Sequence, residues 1–146
     1  MSSVSFVIPV YNKSSFLKYV IESLKHQLGS FEREFIFIDD GSTDDSYKLL
    51  RFLTKNLKNT KIFRQKNKGS ANATNVGIKK AMRNSMFNPS QFLVRADLCK
   101  KVGGCDERIK FSQEYSLTLK LSVYGNFAKL NYATTILPLK APGQIS

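Results

Sequence analysis

Short apolar runs alternate with amphipathic segments along the first eighty residues of the chain. The runs cover residues 4–10, 35–38 and 61–65, and they have the length and β-branched content typical of strands. In the segments between them, apolar residues recur every three or four positions, as in helices with one buried side. These segments cover residues 14–27, 45–56 and 70–81, with Ser14 and Ser70 as predicted N-caps. The alternation predicts right-handed βαβ units, and hence a mostly parallel, Rossmann-like sheet between two helix layers.

The second apolar run is followed directly by two carboxylates, Asp39 and Asp40, and then by Gly41. Four consecutive large apolar residues indicate a strand buried on both faces, as in a parallel sheet. The residues after Gly41 suit the start of a helix. Ligands of open α/β sheets bind at the carboxyl ends of strands. The two carboxylates therefore either face a ligand or only end the strand and cap the helix, and this stretch alone does not decide between these alternatives.

The other two strand-to-helix loops also carry polar groups. Tyr11 and Asn12 follow the first strand, and Asn67-Lys68-Gly69 follow the third. In a parallel sheet all three loops open at one edge, which would bring together an aromatic ring, a carboxylate pair and a basic glycine turn. This combination suits a nucleotide, with the ring for the base and the cations and free amides for phosphate. Neither the dinucleotide-binding glycine fingerprint nor the P-loop sequence occurs.

The second half of the chain has a less regular pattern. It predicts a connecting loop at 83–90, a strand at 91–94, a short helix at 97–102 and a longer helix at 112–124, followed by strands at 127–130 and 133–137 and a tail. Pro9 has no N–H to donate, so the first strand is expected to end there or to meet a sheet edge.

Length and composition indicate one soluble globular domain. The chain has 146 residues, of which 42% are hydrophobic and 23% charged. No apolar run approaches the roughly 20 residues of a membrane span, and the N-terminus lacks signal-peptide features. Cys99 and Cys105 are too few for a zinc cluster and have the wrong spacing for a redox pair, which favours free thiols in a reducing cytoplasm. We therefore expect a cytoplasmic protein.

The net charge of +12 is concentrated in one segment, because no Asp or Glu occurs between Ser46 and Ala96. Such a field favours anionic partners: a diphosphate, a nucleic acid or an acidic membrane face. Lys48, Arg51, Lys55 and Lys58 recur at helical spacing and are best interpreted as a solvated helix face. Arg64, Lys66 and Lys68 cluster beside a loop, and we predict that they lie close to a bound anion.

Three motifs together resemble the start of family 2 glycosyltransferases. They are Val-Ser-Phe-Val-Ile-Pro-Val-Tyr-Asn at 4–12, Ile-Asp-Asp-Gly-Ser-Thr-Asp at 38–44, and Asn67-Lys68-Gly69 with Asn75 and Gly77. Weaker likenesses follow at Val102-Gly103-Gly104 with Asp106-Glu107, and at Glu114. The resemblance implies a GT-A fold and transfer of a sugar from a nucleoside diphosphate sugar, with a UDP-sugar expected, to a glycan or lipid-linked acceptor. It divides a single domain, 1–146, into a nucleotide-binding half, 1–81, and a shortened acceptor-side half, 82–146.

The resemblance also implies roles for individual residues. The nucleotide-binding residues would be Pro9, Tyr11, Asn12, Asp39, Asp40, Asn67 and Gly69. Tyr11 would stack on the base and Asp40 would accept a hydrogen bond from it, with Asp39 beside it. Arg64, Lys66 and Lys68 would lie near the phosphates. The family's base, the aspartate of a Glu-Asp pair, deprotonates the acceptor hydroxyl; here this base is either missing or replaced by Glu114.

The chain departs from the family pattern at charged positions. The family's Asp-x-Asp motif, which holds Mn²⁺ or Mg²⁺ against the diphosphate, is missing, because there is no carboxylate between Asp45 and Asp97. The usual Glu-Asp pair is replaced by Glu114-Tyr115. The chain is therefore interpreted as an internally shortened member of the family, with no predicted metal ligand.

Three interpretations remain open at this stage. The chain is a transferase that uses cations in place of the metal, a non-catalytic nucleotide-binding or interaction remnant, or a basic module for nucleic acid or anionic lipid. Peripheral contact with the inner face of the membrane and homodimerisation across an exposed sheet edge are further hypotheses.

Overall fold

The computed structural model describes residues 3–81, 86–88, 94–109 and 113–125, and the side chains of 4–81, 94–109 and 116–125. Its strands are β1 (Ser3–Val10), β2 (Glu32–Asp39), β3 (Thr60–Arg64), β4 (Met86–Asn88) and β5 (Val94–Arg95). Its helices are α1 (Ser14–Lys25), α2 (Ser46–Leu53), α3 (Ser70–Lys80), α4 (Ala96–Lys101) and α5 (Gln113–Ser122).

The five described strands form one sheet in the order β3-β2-β1-β4-β5. All neighbouring pairs are parallel except β4 and β5, which are antiparallel. The predicted mostly parallel sheet is therefore confirmed. Because β1, β2 and β3 run in the same direction, the loops that follow them all open at the same edge.

Two hydrophobic cores lie on opposite faces of this sheet. On one face, Phe35 and Phe37 of β2 pack with residues of α1 and α2, among them Ile21 and Leu50. On the other face, Ile36 and Ile38 pack with residues of α3, α4 and α5. The fold thus has the three α/β/α layers that the sequence predicted, with β2 buried on both sides.

Helix α3 lies very close to the sheet. A Cβ atom built on Gly77 would be 2.2 Å from Cγ1 of Val7, so only glycine fits at this contact. Ala73, one turn earlier, is fully buried in the same core. The prediction that small residues let this helix approach the sheet is confirmed.

Both cysteines lie buried in the core beneath α3, and neither forms a disulfide bond. Burial, together with the neighbouring Cys105, raises the pKa of Cys99 to about 11. Because the thiolate is the reactive form, Cys99 is expected to be inert.

Several local predictions were wrong. The loop expected at 83–90 contains β4, which pairs with Val4–Phe6 of β1. Ser14 and Ser70 are the first residues of their helices rather than N-caps; Lys13 and Gly69 occupy those positions without capping side chains. A three-residue strand has too little periodicity to be recognised, and capping depends on the exact entry angle of the chain.

Pro9 does not end its strand, since β1 continues to Val10 and pairs with β2 throughout. The described pairing of β1 with β4 stops at Phe6, so beyond that residue β1 has no described neighbour on the β4 side. A residue without an N–H is tolerated at such a position.

The strands predicted at 127–130 and 133–137 and the tail lie outside the described residues. Within the described ranges, no helix is long and apolar enough to cross a bilayer.

Candidate functional site

The loop after β1 is joined to the loop after β2 by a set of short hydrogen bonds. Asn12 N donates to Ser42 Oγ at 3.0 Å, and Asn12 Oδ1 accepts from Thr43 N at 2.8 Å. Lys13 N donates to Ser46 Oγ at 2.8 Å. Asn12 has a positive φ of 49°, a conformation that asparagine tolerates better than most residues. Asn12 therefore holds two of the predicted site loops together.

Asp40 joins the loop after β2 to the loop after β3. Its Oδ1 accepts from Lys68 N at 2.9 Å and from Gln65 Nε2 at 2.8 Å, and its Oδ2 accepts from Gly69 N at 2.8 Å. The carboxylate is 2% exposed. Asp40 thus fixes the 67–69 turn, at which Gly69 has a φ of 89°. The predicted convergence of the three loops at one edge is confirmed.

Gly41 allows the loop after β2 to touch the loop after β3. A Cβ atom at this position would be 2.8 Å from Asn67 N and 3.2 Å from Gln65 O, both of which are backbone atoms. Gly41 also has a positive φ of 74°, which disfavours other residues. The glycine is thus required twice, for its conformation and for the close approach of the next loop.

Asp39 is completely buried and lies next to a cation. Nε of Arg64 is 3.0 Å from Asp39 Oδ2 as an ion pair, while NH2 of Arg64 donates to Ser42 O at 3.0 Å. The guanidinium also lies over the ring of Tyr47, 4.6 Å from its centroid. Neither oxygen of Asp39 accepts a well-directed hydrogen bond from the described residues. Arg64, predicted to lie near phosphate, is therefore engaged in neutralising Asp39, although its side chain stays half-exposed.

Asp44 links the starts of α1 and α2. Its Oδ1 accepts from Ser46 N at 2.9 Å, and its Oδ2 accepts from Ser14 N at 3.2 Å. Partial burial acts to raise the pKa of Asp44, but hydrogen bonds from Ser46 and Ser14 outweigh it and lower the pKa to about 2. One carboxylate thus satisfies the first N–H of both helices, where a negative charge is favourable.

The remaining predicted residues lie on the rim of this edge. Pro9, Tyr11, Asn67, Lys66 and Lys68 are all exposed, and Tyr11 is 45% exposed at the end of β1. The ring of Tyr11 and the two ammonium groups are thus accessible on the edge where the loops meet. Glu114, the predicted base, belongs to the first turn of α5, but its side chain lies outside the described residues.

Residues that the sequence did not single out extend the site across α3. Gln65 Nε2 donates to Asn72 Oδ1 at 2.8 Å as well as to Asp40, and Asn72 Nδ2 donates to Glu107 Oε2 at 2.8 Å. In the sequence, Glu107 belongs only to the weak family likeness at Asp106-Glu107. Uncharged amides in loops and at helix starts have no periodicity that marks them, so no pattern in the sequence identified Gln65 or Asn72.

The carboxylates at this edge do not form a cation site. Asp39 faces a guanidinium, and Asp40 accepts three hydrogen bonds from N–H donors. In the described part of the chain, no three His, Cys, Asp or Glu residues come together as metal ligands would. The Mn²⁺ or Mg²⁺ implied by the family resemblance therefore does not fit the described donors, and no catalytic step is assigned to it.

Comparison with known proteins places the chain in a family. The model of the family described as "Glycosyl transferase family 2" matches residues 5–85, more than half of the chain. The chain belongs to glycosyl transferase family 2. The matched segment contains all three site loops, so the family likeness and the site geometry coincide.

Among curated proteins, an uncharacterized glycosyltransferase of Rickettsia bellii is 42% identical over 80 residues, 55% of this chain and 11% of the relative. The minor teichoic acid biosynthesis protein GgaA of Bacillus subtilis is 39% identical over 87 residues, 57% of this chain and 19% of the relative. The chain thus spans less than a fifth of the length of these two relatives.

Solved structures support the fold. TarS of S. aureus has a TM-score of 0.68 at 18% identity, covering 82% of this chain and 33% of TarS. TarS 1–349 in complex with UDP-GlcNAc has a TM-score of 0.51 at 27% identity, covering 60% of this chain and 26% of that one. The first similarity shows a shared GT-A-type fold.

Proposed function

We propose that this chain binds a nucleoside diphosphate sugar, with UDP as the nucleotide, and transfers the sugar to an acceptor hydroxyl. The observation that carries this proposal is the convergence of the Tyr11, Asp40 and Asn67 loops on one edge of the sheet, joined by direct hydrogen bonds. The UDP-GlcNAc complex of TarS supports the choice of nucleotide. Residues 1–81 would bind the nucleotide and 82–146 would face the acceptor, a glycan or lipid-linked hydroxyl.

Each predicted residue has a role in this proposal. The exposed ring of Tyr11, beside Pro9, stacks on the base. Asp40 Oδ2 accepts only one hydrogen bond from the described residues and therefore keeps an acceptor position for an N–H of the base. Asn67 and Gly69 form the turn beside the ribose and diphosphate. Asn12 and Asp39 act indirectly, by holding the loop after β2 and the guanidinium of Arg64.

The proposed transfer step assigns a role to each of the charged residues. The acceptor oxygen forms a bond to the anomeric carbon as the bond between that carbon and the diphosphate oxygen breaks. The hydroxyl proton passes to Glu114, the proposed base. The departing diphosphate gains negative charge, which Lys66 and Lys68 stabilise, together with the exposed part of Arg64.

Binding is tested by titrating UDP and following the thermal unfolding transition, with and without Mn²⁺. We expect UDP to raise the melting temperature because it binds only the folded state. The shift should change little with Mn²⁺, since the described donors offer no cation site. A shift that requires Mn²⁺ would contradict this account, and no shift with any nucleoside diphosphate would refute the proposal.

The base pocket is tested at Tyr11, whose side chain makes no hydrogen bond within the described residues. Stacking of a base on an aromatic ring contributes about 1–3 kcal/mol, so Tyr11→Ala should weaken UDP binding by about fivefold to 150-fold. Tyr11→Phe keeps the ring and is the matched control, with near wild-type affinity expected. Asp40→Ala should abolish binding, and it should also lower the melting temperature without ligand because the 67–69 turn is released. Equal affinities for Tyr11→Ala and Tyr11→Phe would exclude stacking.

Catalysis is tested separately from binding. UDP-sugar hydrolysis by the wild type should fall in Glu114→Gln, while UDP affinity stays the same, because the base acts on the acceptor. UDP binding without hydrolysis in either protein would instead favour the non-catalytic nucleotide-binding alternative.

We also propose that the outer face of α2 contacts an anionic membrane, which would locate the protein in the cytoplasm at the inner membrane face. Lys48, Arg51 and Phe52 are exposed residues of this helix, the exposed Lys55 follows its end, and Phe52 is 75% exposed. Lys48 and Lys55 form no ion pair with any described carboxylate. Cationic helices with an exposed aromatic residue bind at anionic interfaces, at about 1 kcal/mol per basic residue near the surface.

This second proposal is tested with phosphatidylglycerol-containing vesicles against neutral phosphatidylcholine vesicles. We expect binding only to the anionic vesicles and a loss of binding in Phe52→Ser. Leu28→Ser, which removes another highly exposed apolar side chain, should bind like the wild type. If DNA binds and Phe52→Ser has no effect on either partner, the surface recognises charge alone and the membrane proposal fails.

A further inference from the structure

A chain of side-chain amides connects two carboxylates from different halves of the sequence. Gln65 Nε2 donates to Asp40 Oδ1 at 2.8 Å and to Asn72 Oδ1 at 2.8 Å. Asn72 Nδ2 then donates to Glu107 Oε2 at 2.8 Å. Glu107 follows α4, whereas Asp40 and Gln65 follow β2 and β3. This series of hydrogen-bonded amides therefore reaches from the proposed nucleotide site, across the start of α3, to the second half of the polypeptide.

The two carboxylates set the direction of every hydrogen bond between them. An ionised carboxylate only accepts, so Asn72 must turn its NH₂ group towards Glu107 and its oxygen towards Gln65. Gln65 must then turn its own NH₂ group inward, where the same nitrogen also donates to Asp40. Reversing Asn72 would reverse Gln65 and bring its oxygen against the Asp40 carboxylate.

Glu107 is not needed to attach α3 to the loop after α4. Asn75 already does this with two hydrogen bonds to Cys105, from Cys105 N to Oδ1 and from Nδ2 to Cys105 O, both at 2.9 Å. Gly104 lies against the same amide, since a Cβ atom there would be 2.3 Å from Asn75 Oδ1. This attachment is buried, whereas Glu107 is exposed and continues the polar chain towards the site.

The ionised form of Glu107 is favoured by its surroundings. Hydrogen bonds from Asn72 and then from Asn75 lower the pKa of Glu107, and the ammonium groups of Lys79 and Lys68 lower it further. Glu107 is therefore a carboxylate at neutral pH, as the direction of the amide chain requires.

We propose that Glu107 is a positioning residue for the nucleotide site: its carboxylate orients Asn72 and Gln65, and Gln65 in turn holds Asp40 and the 67–69 turn in their binding geometry. The inference rests on the proposed function, because it concerns the same site. It gives a residue of the second half of the chain an influence on nucleotide binding, exerted through Asn72 and Gln65. The positioning of Asn72 and Gln65 depends on the negative charge of Glu107 rather than on the shape of its side chain.

The test uses Glu107→Gln, which keeps the shape and removes the charge. The new NH₂ group of the glutamine would face the NH₂ group of Asn72 or Asn75. Because two donors cannot form a hydrogen bond with each other, one amide must turn. Asn75 is held by Cys105, so Asn72 is the amide that reverses. We expect UDP to bind about fivefold to tenfold more weakly, the effect of about one hydrogen bond. Glu32→Gln, the same change at the opposite end of β2, is the matched control with unchanged affinity.

A second substitution distinguishes orientation from a general structural role. Adding Asn72→Asp to Glu107→Gln restores a carboxylate in the chain, which can accept from Gln65 and from the glutamine at 107. Affinity should return to within about twofold of the wild type, with coupling between the two sites as expected for neighbours. Asn72→Asp alone places two carboxylates together and should weaken binding. Failure of the double variant to recover would overturn the proposal.

Amide hydrogen exchange gives a readout that needs no ligand. Lys68 N and Gly69 N donate to Asp40, so their protection should fall in Glu107→Gln and recover in the double variant. Unchanged protection in Glu107→Gln would overturn the inference even if UDP binds. If the wild type fails to bind UDP, the proposed function fails, and the exchange data alone then decide whether Glu107 positions the turn.

Discussion

Asp39, Asp40 and Asp44 lie within six residues of one another, yet their carboxylates have three different surroundings. Asp39 is buried beside the guanidinium of Arg64, Asp40 accepts three hydrogen bonds from the loop after β3, and Asp44 accepts from the first N–H of two helices. The burial and partners of each carboxylate, rather than its position in the acidic motif, therefore decide what it does. Of these three carboxylates, only that of Asp40 accepts hydrogen bonds from the backbone of the 67–69 turn within the described residues.

Asp44 gives a prediction about stability and pH. Its pKa is lowered to about 2 in the folded protein, so its stabilisation is fully present above the ordinary aspartate value near 4 and is lost as pH falls towards 2. Asp44→Asn should reduce the free energy of unfolding at pH 7 by about 0.5–1 kcal/mol, a range that allows for solvent screening of an exposed group. Urea unfolding should show the same difference at pH 7 and pH 5 and a smaller difference at pH 3.

Asp45→Asn is the control for that experiment. It removes the same charge from the same helix end, but Asp45 makes no side-chain capping hydrogen bond to α2. We expect a smaller loss at pH 7. An equal loss with the same dependence on pH would mean that general charge at the helix start, rather than the two hydrogen bonds of Asp44, provides the stabilisation.

Among the elements, α3 has a double role. Its buried side packs Ala73 and Gly77 against the sheet, and its first turns carry Asn72 and Asn75, which contact Glu107. The close contact of Gly77 with Val7 fixes the height of the helix over β1. Packing of this helix and the geometry of the polar chain are therefore coupled through one rigid element.

Gly77→Val tests this coupling. The new side chain would overlap Val7 in a fully packed core, and overpacking typically costs about 1–3 kcal/mol. We expect a lower midpoint in urea unfolding and weaker UDP binding, because α3 must move away from the sheet. Lys79→Val, on the exposed side of α3, controls for helix propensity and should have a much smaller effect on the midpoint. Similar midpoints for the two variants would show that the sheet accommodates the extra atoms.

At the scale of the whole molecule, charge and sheet edges decide how the protein meets partners. β3 is an outer strand of the described sheet, and its side chains Lys61 and Arg64 are about half-exposed. Lys61 also donates to the buried Glu34 at 2.8 Å. Charged residues on an edge strand oppose pairing with a second copy, and the net charge of +12 adds to that repulsion.

Homodimerisation across a sheet edge stays a prediction. The charges on β3 predict how such a dimer would respond to salt. If the dimer uses the edge of β3, its fraction should rise with salt, because salt screens the repulsion between the two copies. Light scattering at about 50 mM and about 500 mM NaCl, at equal protein concentration, measures this. A monomer under both conditions would remove the hypothesis, and a dimer that dissociates with salt would point to an interface other than β3.

The sequence by itself determined the order of strands and helices to α3, the two-sided burial of β2 and the edge at which the site lies. These follow from hydrophobic periodicity, which is local, and from the geometry of parallel strands, which puts the loops after Val10, Asp39 and Arg64 at one edge. The family motifs indicated the same edge, since their residues form the loops after β1, β2 and β3.

The tertiary structure alone decided which atoms of that edge meet. Asp40 and Gly69 are 29 residues apart, and Asn72 and Glu107 are 35 apart; no local pattern reports such partners, because a hydrogen bond depends on distance and direction in three dimensions. For the same reason β4 and the lack of capping by Ser14 and Ser70 were missed. Periodicity shows which side of a segment is buried, whereas partner choice is settled only when the segments pack.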